Sequence, residues 1–244
     1  MKIGILATGV TPEELLDDFG SYADMLVRLL RPEVENVSFQ IYDVRNDVFP
    51  LGASDCDAWL ITGSKSSAYE DLPWIERLKT LIRQIRESAR PMVGICFGHQ
   101  VVAEALGGRV EQSAKGWGVG LHRYQVAGDW QTGTGVPSVL TLNAFHRDQV
   151  VVKPADAEVV AWSDFCPYAA LAYGEQILTL QAHPEFSLAY EYRLISLRKG
   201  QAVPEEVAER GMATLRQPTS RTDSAAVAAW LARFLTHKRG CPVV

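Results

Sequence analysis

The stretch Val93-Gly-Ile-Cys-Phe-Gly-His-Gln100 decides the fold of this chain. The apolar residues from 91 to 95 predict a short buried strand, and Gln100 begins a run with helical periodicity. Cys96 therefore lies at a sharp strand-to-helix turn, a nucleophile elbow, which exposes a side chain at the carboxyl edge of a sheet. The unpaired N–H groups and the dipole of the following helix favour the thiolate over the thiol. Because a free cysteine is usually an inert core residue, a chemical role for Cys96 requires a base close to it.

A candidate base follows in the stretch Leu180-Gln-Ala-His-Pro-Glu-Phe186. His183 and Glu185 are two positions apart, so both side chains leave an extended segment on the same face. A carboxylate that accepts a hydrogen bond from one imidazole nitrogen leaves the other nitrogen free to deprotonate a thiol. The preceding residues, 176–181, predict a strand that would bring this loop to the same sheet edge as Cys96.

Together these two motifs resemble those of the class I, triad-type glutamine amidotransferases. The resemblance is greatest to stand-alone members similar to the amidotransferase domain of GMP synthase, and it covers roughly residues 1–190. It implies that Cys96 is the nucleophile, that His183 is its general base and acid, and that Glu185 orients the imidazole. Glutamine or a γ-glutamyl small molecule is the implied substrate.

The same resemblance implies a set of substrate-binding residues. Gln100 matches the glutamine that helps to hold the amino-acid end of the substrate. The segment Ala144-Phe-His-Arg-Asp148 resembles the family's Ser-His-x-Asp loop beside the glutamine pocket. Phenylalanine replaces the serine, so backbone groups rather than a hydroxyl would make the contact there. The implied substrate-binding residues of this loop are Phe145, His146 and Arg147.

The resemblance also implies an oxyanion hole. One backbone N–H would come from Phe97, directly after the nucleophile. The other would come from Gly63, where Ile61-Thr-Gly-Ser-Lys65 stands in place of a Gly-Gly-Pro-like turn. The segment Lys115-Gly-Trp-Gly-Val-Gly120 is similar to the Gly-Trp-Glu-Ile-Gly stretch of the stand-alone members.

The periodicity along the chain predicts one α/β domain, residues 1–244, with a mostly parallel central sheet. With the resemblance, the expected fold is a flavodoxin-like three-layer sandwich. Short strand-like pieces over 117–180, with turns at 128–135 and 153–157, predict an antiparallel extension of the sheet. The tail, about 187–238, is predicted to be helical, and its middle helix either is a surface helix or covers a face, a pocket or a partner. The predicted strands are 2–7, 37–42, 58–62 and 92–95, and the predicted helices are 20–30, 74–87, 99–106, 188–197, 204–215 and 224–235.

Composition and motifs argue against several other classes of protein. A net charge of −5 gives no electrostatic case for binding nucleic acid or an anionic membrane. The four cysteines and five histidines lack the spacing of a disulfide framework or a metal site, so no metal and no cofactor are expected. The N-terminal residues predict a strand rather than a signal peptide, and no apolar run approaches the roughly 20 residues that span a bilayer. These features predict a cytoplasmic protein.

Three functions are compatible with the sequence. The first is a glutaminase subunit that passes ammonia to a separate synthetase, because the chain has neither a Ser-Gly-Gly-x-Asp-Ser loop nor a Gly-x-x-x-x-Gly-Lys-Ser/Thr loop for ATP. The second is a self-contained γ-glutamyl peptidase. The third is a non-catalytic, flavodoxin-like binding or chaperone-like protein that keeps a reactive cysteine, although a complete set of nucleophile, base and orienting carboxylate argues against it.

Overall fold

The computed structural model describes residues 1–131 and 135–236. In these residues nine strands form the main sheet, in the order β2-β1-β3-β4-β11-β10-β9-β6-β7. The five strands from β2 to β11 in that order are parallel, and the remaining pairs are antiparallel. The strands are β1 Lys2–Ala7, β2 Ser38–Asp43, β3 Ala58–Ile61, β4 Met92–Ile95, β5 Arg109–Gln112, β6 Gly118–Val126, β7 Val139–His146, β8 Asp148–Val152, β9 Glu158–Trp162, β10 Ala170–Tyr173 and β11 Ile177–Leu180.

Helices cover both faces of the sheet, which gives three layers. Alternate residues of a strand point to opposite faces, so Leu60 and Val93 join one core while Trp59 and Met92 join the other. Burial on both faces explains why these strands are continuously apolar. The helices are α1 Glu13–Phe19, α2 Tyr22–Leu30, α3 Pro73–Glu87, α4 Phe97–Ala105, α5 Gly128–Gln131, α6 Leu188–Arg198, α7 Glu205–Leu215 and α8 Ser224–Thr236.

This architecture confirms the predicted α/β sandwich with its mostly parallel centre, antiparallel extension and helical tail. The predicted helix over 20–30 is confirmed as α2, and the structure adds α1, a helix directly before it that was not predicted. Gly20 ends α1 with a φ of +75°, and Ser21 caps α2 by accepting a hydrogen bond from the Asp24 N–H. The predicted turn at 128–135 contains α5 instead, and its residues 132–134 lie outside the described residues, as do 237 and 238 of the tail.

One strand of the predicted extension lies elsewhere. β8 pairs with β5 in a separate two-stranded antiparallel sheet rather than in the main sheet. An alternating pattern specifies which face of a strand is buried but not which strand pairs with it.

The middle helix of the tail, α7, covers a face of the protein. It packs against β6 and α6, and its Gly211 lies against Val119. α8 instead packs against α2, β3 and β4. Through residues 1–131 and 135–236, no helix has the length and apolar character that crossing a membrane requires.

Candidate active site

Cys96 lies between the end of β4 and the start of α4, as the elbow interpretation predicts. Its backbone has φ 54° and ψ −101°, a sparsely populated conformation for a residue with a side chain. Such strain costs of order 1–3 kcal/mol and persists only where the surroundings enforce it. Its N–H donates to the Leu180 carbonyl of β11 at 2.8 Å, and its own carbonyl accepts from Gln100 N–H at 3.1 Å. The turn is thus fixed from both sides.

Close backbone packing explains the two glycines that flank the elbow. A Cβ at Gly94 would lie 2.6 Å from the Gly98 carbonyl, and a Cβ at Gly98 would lie 2.6 Å from the Ile61 carbonyl oxygen. Helix α4 can therefore lie directly on β3 and β4 only because both residues are glycine.

His183 is held beside Cys96 by contacts on three sides. Its N–H donates to the Asn143 carbonyl of β7 at 2.8 Å, and its Nδ1 is 2.7 Å from Glu185 Oε1. Its ring stacks on Phe186, with the ring centroids 3.9 Å apart and the planes at 5°. Since Nδ1 is occupied by the carboxylate, Nε2 is the nitrogen that remains for the thiol of Cys96.

The pKa of the His183 imidazole depends on its burial and on its charged neighbours. Both the His183 and the Glu185 side chains are almost inaccessible to solvent. Burial alone lowers the pKa of His183, but the charges of Glu185 and Cys96 and their hydrogen bonds raise that pKa well above its usual value. The carboxylate thus favours a protonated imidazole, the form that results when His183 removes a proton from a thiol.

Gly63 lies against these two side chains at the end of β3. A Cβ built on it would be 2.9 Å from His183 Cε1 and 3.7 Å from Cys96 Cβ. The carbonyl of Thr62 accepts from the Thr8 hydroxyl at 2.8 Å. Because the N–H and C=O of a trans peptide point in opposite directions, the Gly63 N–H points away from Thr8. The structure therefore places Gly63 beside Cys96, where the sequence predicts it.

Gln100 lies in a chain of amide contacts that leads back to the sulfur. Its Nε2 donates to the Asp148 carbonyl at 2.8 Å and to Gln181 Oε1 at 3.1 Å. Gln181 in turn donates to Cys96 Sγ at 3.7 Å. Both hydrogens of the Gln100 amide are thus used, and only its Oε1 remains to accept a hydrogen bond from a substrate.

A cavity of about 480 Å³ opens onto the thiol of Cys96, and the predicted substrate loop forms part of its lining. Cys96, His183 and Gln100 line it together with Phe145, His146 and Arg147. The predicted residue Phe97 does not line the cavity, because its buried ring packs against Trp74. Only its backbone, as the first residue of α4, is available to the site.

His146 is uncharged, unlike its neighbour Arg147. Burial, with a smaller contribution from neighbouring histidines, chiefly His122, lowers its pKa to about 3. Its Nδ1 is 3.2 Å from the Asp148 carbonyl, which can only accept, so Nδ1 carries the hydrogen. His146 is therefore a neutral imidazole beside the cavity.

Comparison with known proteins identifies the family. The family model described as glutamine amidotransferase class-I matches residues 14–195. The chain belongs to the class I glutamine amidotransferase family. A glutamine amidotransferase-like protein of Schizosaccharomyces pombe is 30% identical over 249 residues, which cover 96% of this chain and 98% of that one. The family predicted from the two sequence motifs is thereby confirmed.

More distant relatives differ in the activities that their names record. γ-Glutamyl peptidase 5 of Arabidopsis thaliana is 27% identical over 72% of each chain. The GMP synthase of Azoarcus sp. is 30% identical over 70% of this chain but only 33% of that protein. Among solved structures, a glutamine amidotransferase from Thermotoga maritima shares the fold with a TM-score of 0.69, 22% identity and coverage of 96% and 98%.

Several polar residues of this amidotransferase-family site were not predicted. Gln181 stands in the same stretch as His183 and could have been noticed as a polar residue at the end of a buried strand. No local signal marks Tyr22 of α2 or Arg198 of α6, which also line the cavity. Burial raises the pKa of Tyr22 to about 12, nearby Cys96 and Glu185 act in the same direction, and Arg198 acts in the opposite one.

Glu191 is a second buried carboxyl group near the site. It is fully inaccessible on α6, and its Oε1 accepts from the Gly120 N–H at 3.1 Å. Burial raises its pKa to about 8; His183 acts to lower that pKa, and the charge of Glu185 acts to raise it. Glu191 is thus largely protonated at neutral pH. In the described part of the chain, no cluster of three His, Cys, Asp or Glu residues could hold a metal ion.

Proposed function

We propose that this protein hydrolyses a γ-glutamyl amide through a thioester on Cys96 and releases glutamate with ammonia or an amine. The observation that carries the proposal is that Cys96 and His183 lie side by side against Gly63 in one cavity, while the other imidazole nitrogen of His183 is bound by Glu185. A nucleophile, a base and an orienting carboxylate are the constellation that acyl transfer requires.

In the first half of the reaction the Cys96 sulfur attacks the γ-carbonyl carbon, and His183 takes the thiol proton. The negative charge that develops on the carbonyl oxygen would be bound by the N–H groups of Phe97 and Gly63. A donor of this kind contributes about 3–4 kcal/mol in other enzymes. Collapse of the tetrahedral intermediate breaks the C–N bond, and His183 returns the proton to the leaving nitrogen.

In the second half, His183 activates a water molecule that attacks the thioester. The C–S bond breaks, the thiol regains its proton, and glutamate leaves. Throughout, the carboxylate of Glu185 keeps the imidazole in the tautomer and orientation that both steps need.

Substrate binding is proposed for the wall that carries Gln100 and the loop Phe145–Arg147. The free Oε1 of Gln100 suits the α-ammonium group of a glutamyl substrate. The exposed guanidinium of Arg147 suits the α-carboxylate, which it can bind through two parallel hydrogen bonds.

Two fates of the leaving group distinguish the candidate functions. As a glutaminase subunit, the protein would pass ammonia to a separate synthetase, and the relation to one third of a GMP synthase supports such a partner. As a self-contained γ-glutamyl peptidase, it would release an amino acid or peptide. The relation to a γ-glutamyl peptidase and a cavity larger than a free amino acid needs favour this second candidate.

Glutamate release from glutamine and from γ-glutamyl dipeptides by the purified protein tests the proposal. Cys96→Ala should abolish release and leave the melting temperature close to that of the parent. Cys166→Ala is the matched control: burial raises the pKa of that thiol to about 12, and Cys166 does not line the cavity. Turnover that survives in Cys96→Ala would remove the thiol from the reaction. Covalent labelling of Cys96 without turnover of any substrate would instead support a non-catalytic binding protein.

A further inference from the structure

The charge around the cavity is opposite in sign to that of the whole protein. Lys65, Arg147 and Arg198 line it, and the carboxylate among the lining residues is Asp148. Within residues 1–131 and 135–236, no carboxylate forms an ion pair with any of these three cations. The Asp148 carboxylate is itself engaged by the Ser67 hydroxyl at 2.5 Å. A chain of net charge −5 thus surrounds its cavity with an excess of positive charge.

Glutamine does not account for this excess. It is a zwitterion, and its α-carboxylate needs one cation. Lys65 and Arg147 are exposed, so solvent screens their charges, whereas Arg198 is partly buried and is the cation best placed to bind a further negative charge. The arrangement therefore fits a substrate that carries at least one more negative charge than glutamine.

The position of Arg198 shows where that extra charge would bind. Gln100, Arg147 and Asp148 form one wall, built from α4 and the β7–β8 turn, whereas Arg198 comes from the end of α6. Arg198 lines the same cavity as Cys96 and Tyr22. The carbonyl of Arg198 accepts the N–H groups of Gln201 and Val203, both at 3.1 Å, which anchors the residue through its backbone.

An aromatic wall lines the same cavity as Arg198. Trp117 and Phe145 both line the cavity, and their ring centroids are 5.4 Å apart with the planes at 56°. Phe145 also packs against the α6 side chains, including Leu194, which lines the cavity as well. An apolar or aromatic group of the substrate would bury its surface here.

We propose that Arg198 and the Trp117–Phe145 wall form a subsite for the leaving group of a γ-glutamyl peptide, namely an amino acid with an apolar or aromatic side chain and a free carboxylate. The subsite deepens the proposed function and rests on it. When the γ C–N bond breaks, the leaving amino acid departs as a neutral amine after it receives the proton from His183, and its carboxylate takes no part in the chemistry.

Two substrates that differ only in the carboxylate test the subsite. They are γ-glutamylphenylalanine and γ-glutamylphenethylamide, compared through the ratio of their kcat/KM values. The parent protein should prefer the peptide by about tenfold or more, as expected for one charge-assisted hydrogen bond. Arg198→Gln should bring the ratio close to one, mainly through KM, and Arg198→Lys should restore part of it. The matched control is Arg210→Gln, on the exposed face of α7, which should keep the parent ratio.

The outcomes separate the subsite from the reaction. If Arg198→Gln lowers kcat/KM equally for both substrates, Arg198 binds the glutamyl end or has a structural role, and the subsite is wrong. If the parent releases glutamate from glutamine but shows no preference for the peptide, the subsite is wrong and the proposed function stands.

If no substrate is turned over, the proposed function fails and calorimetry decides the subsite alone. γ-Glutamylphenylalanine should then bind the Cys96→Ala protein about tenfold more tightly than it binds Cys96→Ala with Arg198→Gln, whereas γ-glutamylphenethylamide should bind both alike. Equal affinities of the peptide for the two proteins, or no binding, overturn the subsite.

Discussion

Gly63→Ala should damage the site by displacing the imidazole of His183 without removing any functional group. The added Cβ would lie 2.9 Å from His183 Cε1, whereas ordinary contacts begin at 3.4 Å. The imidazole, or the backbone at Gly63 just after β3, must therefore move by about 0.5 Å. The ring cannot simply retreat, because it stacks on Phe186 and Nδ1 is bound to Glu185.

The size of the effect follows from this displacement. A misplacement of about 1 Å can cost roughly 10²-fold in rate, so a shift of half that size predicts a loss of about 10-fold to 100-fold in kcat. This loss corresponds to about 1.4–2.7 kcal/mol of transition-state stabilisation. KM should change much less, because the displaced group acts on the reacting atoms rather than on the bound glutamyl chain. Overpacking should also lower the stability of the fold by about 1–3 kcal/mol.

Glutamate release under saturating substrate measures kcat, and thermal unfolding measures the change in stability. The rate of Cys96 alkylation by iodoacetamide gives a second readout, since it depends on the imidazole that accepts the thiol proton. Gly52→Ala is the matched control, because its backbone is extended and no atom lies within 4 Å of the added Cβ. A Gly63→Ala protein with the kcat and alkylation rate of the parent would refute the contact between Gly63 and His183 as the structure gives it.

Two further substitutions test the buried carboxyl groups. Glu185→Gln should lower kcat by about 10²-fold to 10⁴-fold with little change in KM, because an amide that donates to His183 Nδ1 favours the wrong tautomer. The control, Glu175→Gln on the surface, should leave kcat unchanged. An unchanged kcat in Glu185→Gln would show that His183 needs no orienting carboxylate. Glu191 binds a proton in the folded state up to about pH 8 but only up to about 4.5 when unfolded. Its stabilising effect is therefore complete below about pH 4.5 and is lost as the pH rises towards 8, by at most about 1.4 kcal/mol per pH unit. In urea unfolding between about pH 5 and pH 8, Glu191→Gln should lose less stability than the parent, and parallel curves would contradict the buried, protonated carboxyl.

The predictions that the structure confirms rest on signals within single segments. The strand, elbow and helix around Cys96 follow from an apolar run, a turn and a helical run that are adjacent in the chain. The strand at 176–181 does lie beside β4, and the loop that follows it does bring His183 and Cys96 together against Gly63. The helix that was missed, α1, also carries a local signal, since Pro12 and the two glutamates after it mark its start.

The sequence by itself determined the α/β class and the family and pointed to Cys96 and His183 as neighbours, because periodicity and motif spacing are properties of the chain in one dimension. Only the tertiary structure decided that β8 pairs with β5, that Gln181 contacts the sulfur and that Arg198 lies over the cavity. These contacts join segments far apart in the chain, and their partners depend on which faces the packed layers bring together. No local pattern encodes that choice, since each such segment would satisfy its own periodicity equally well against another neighbour.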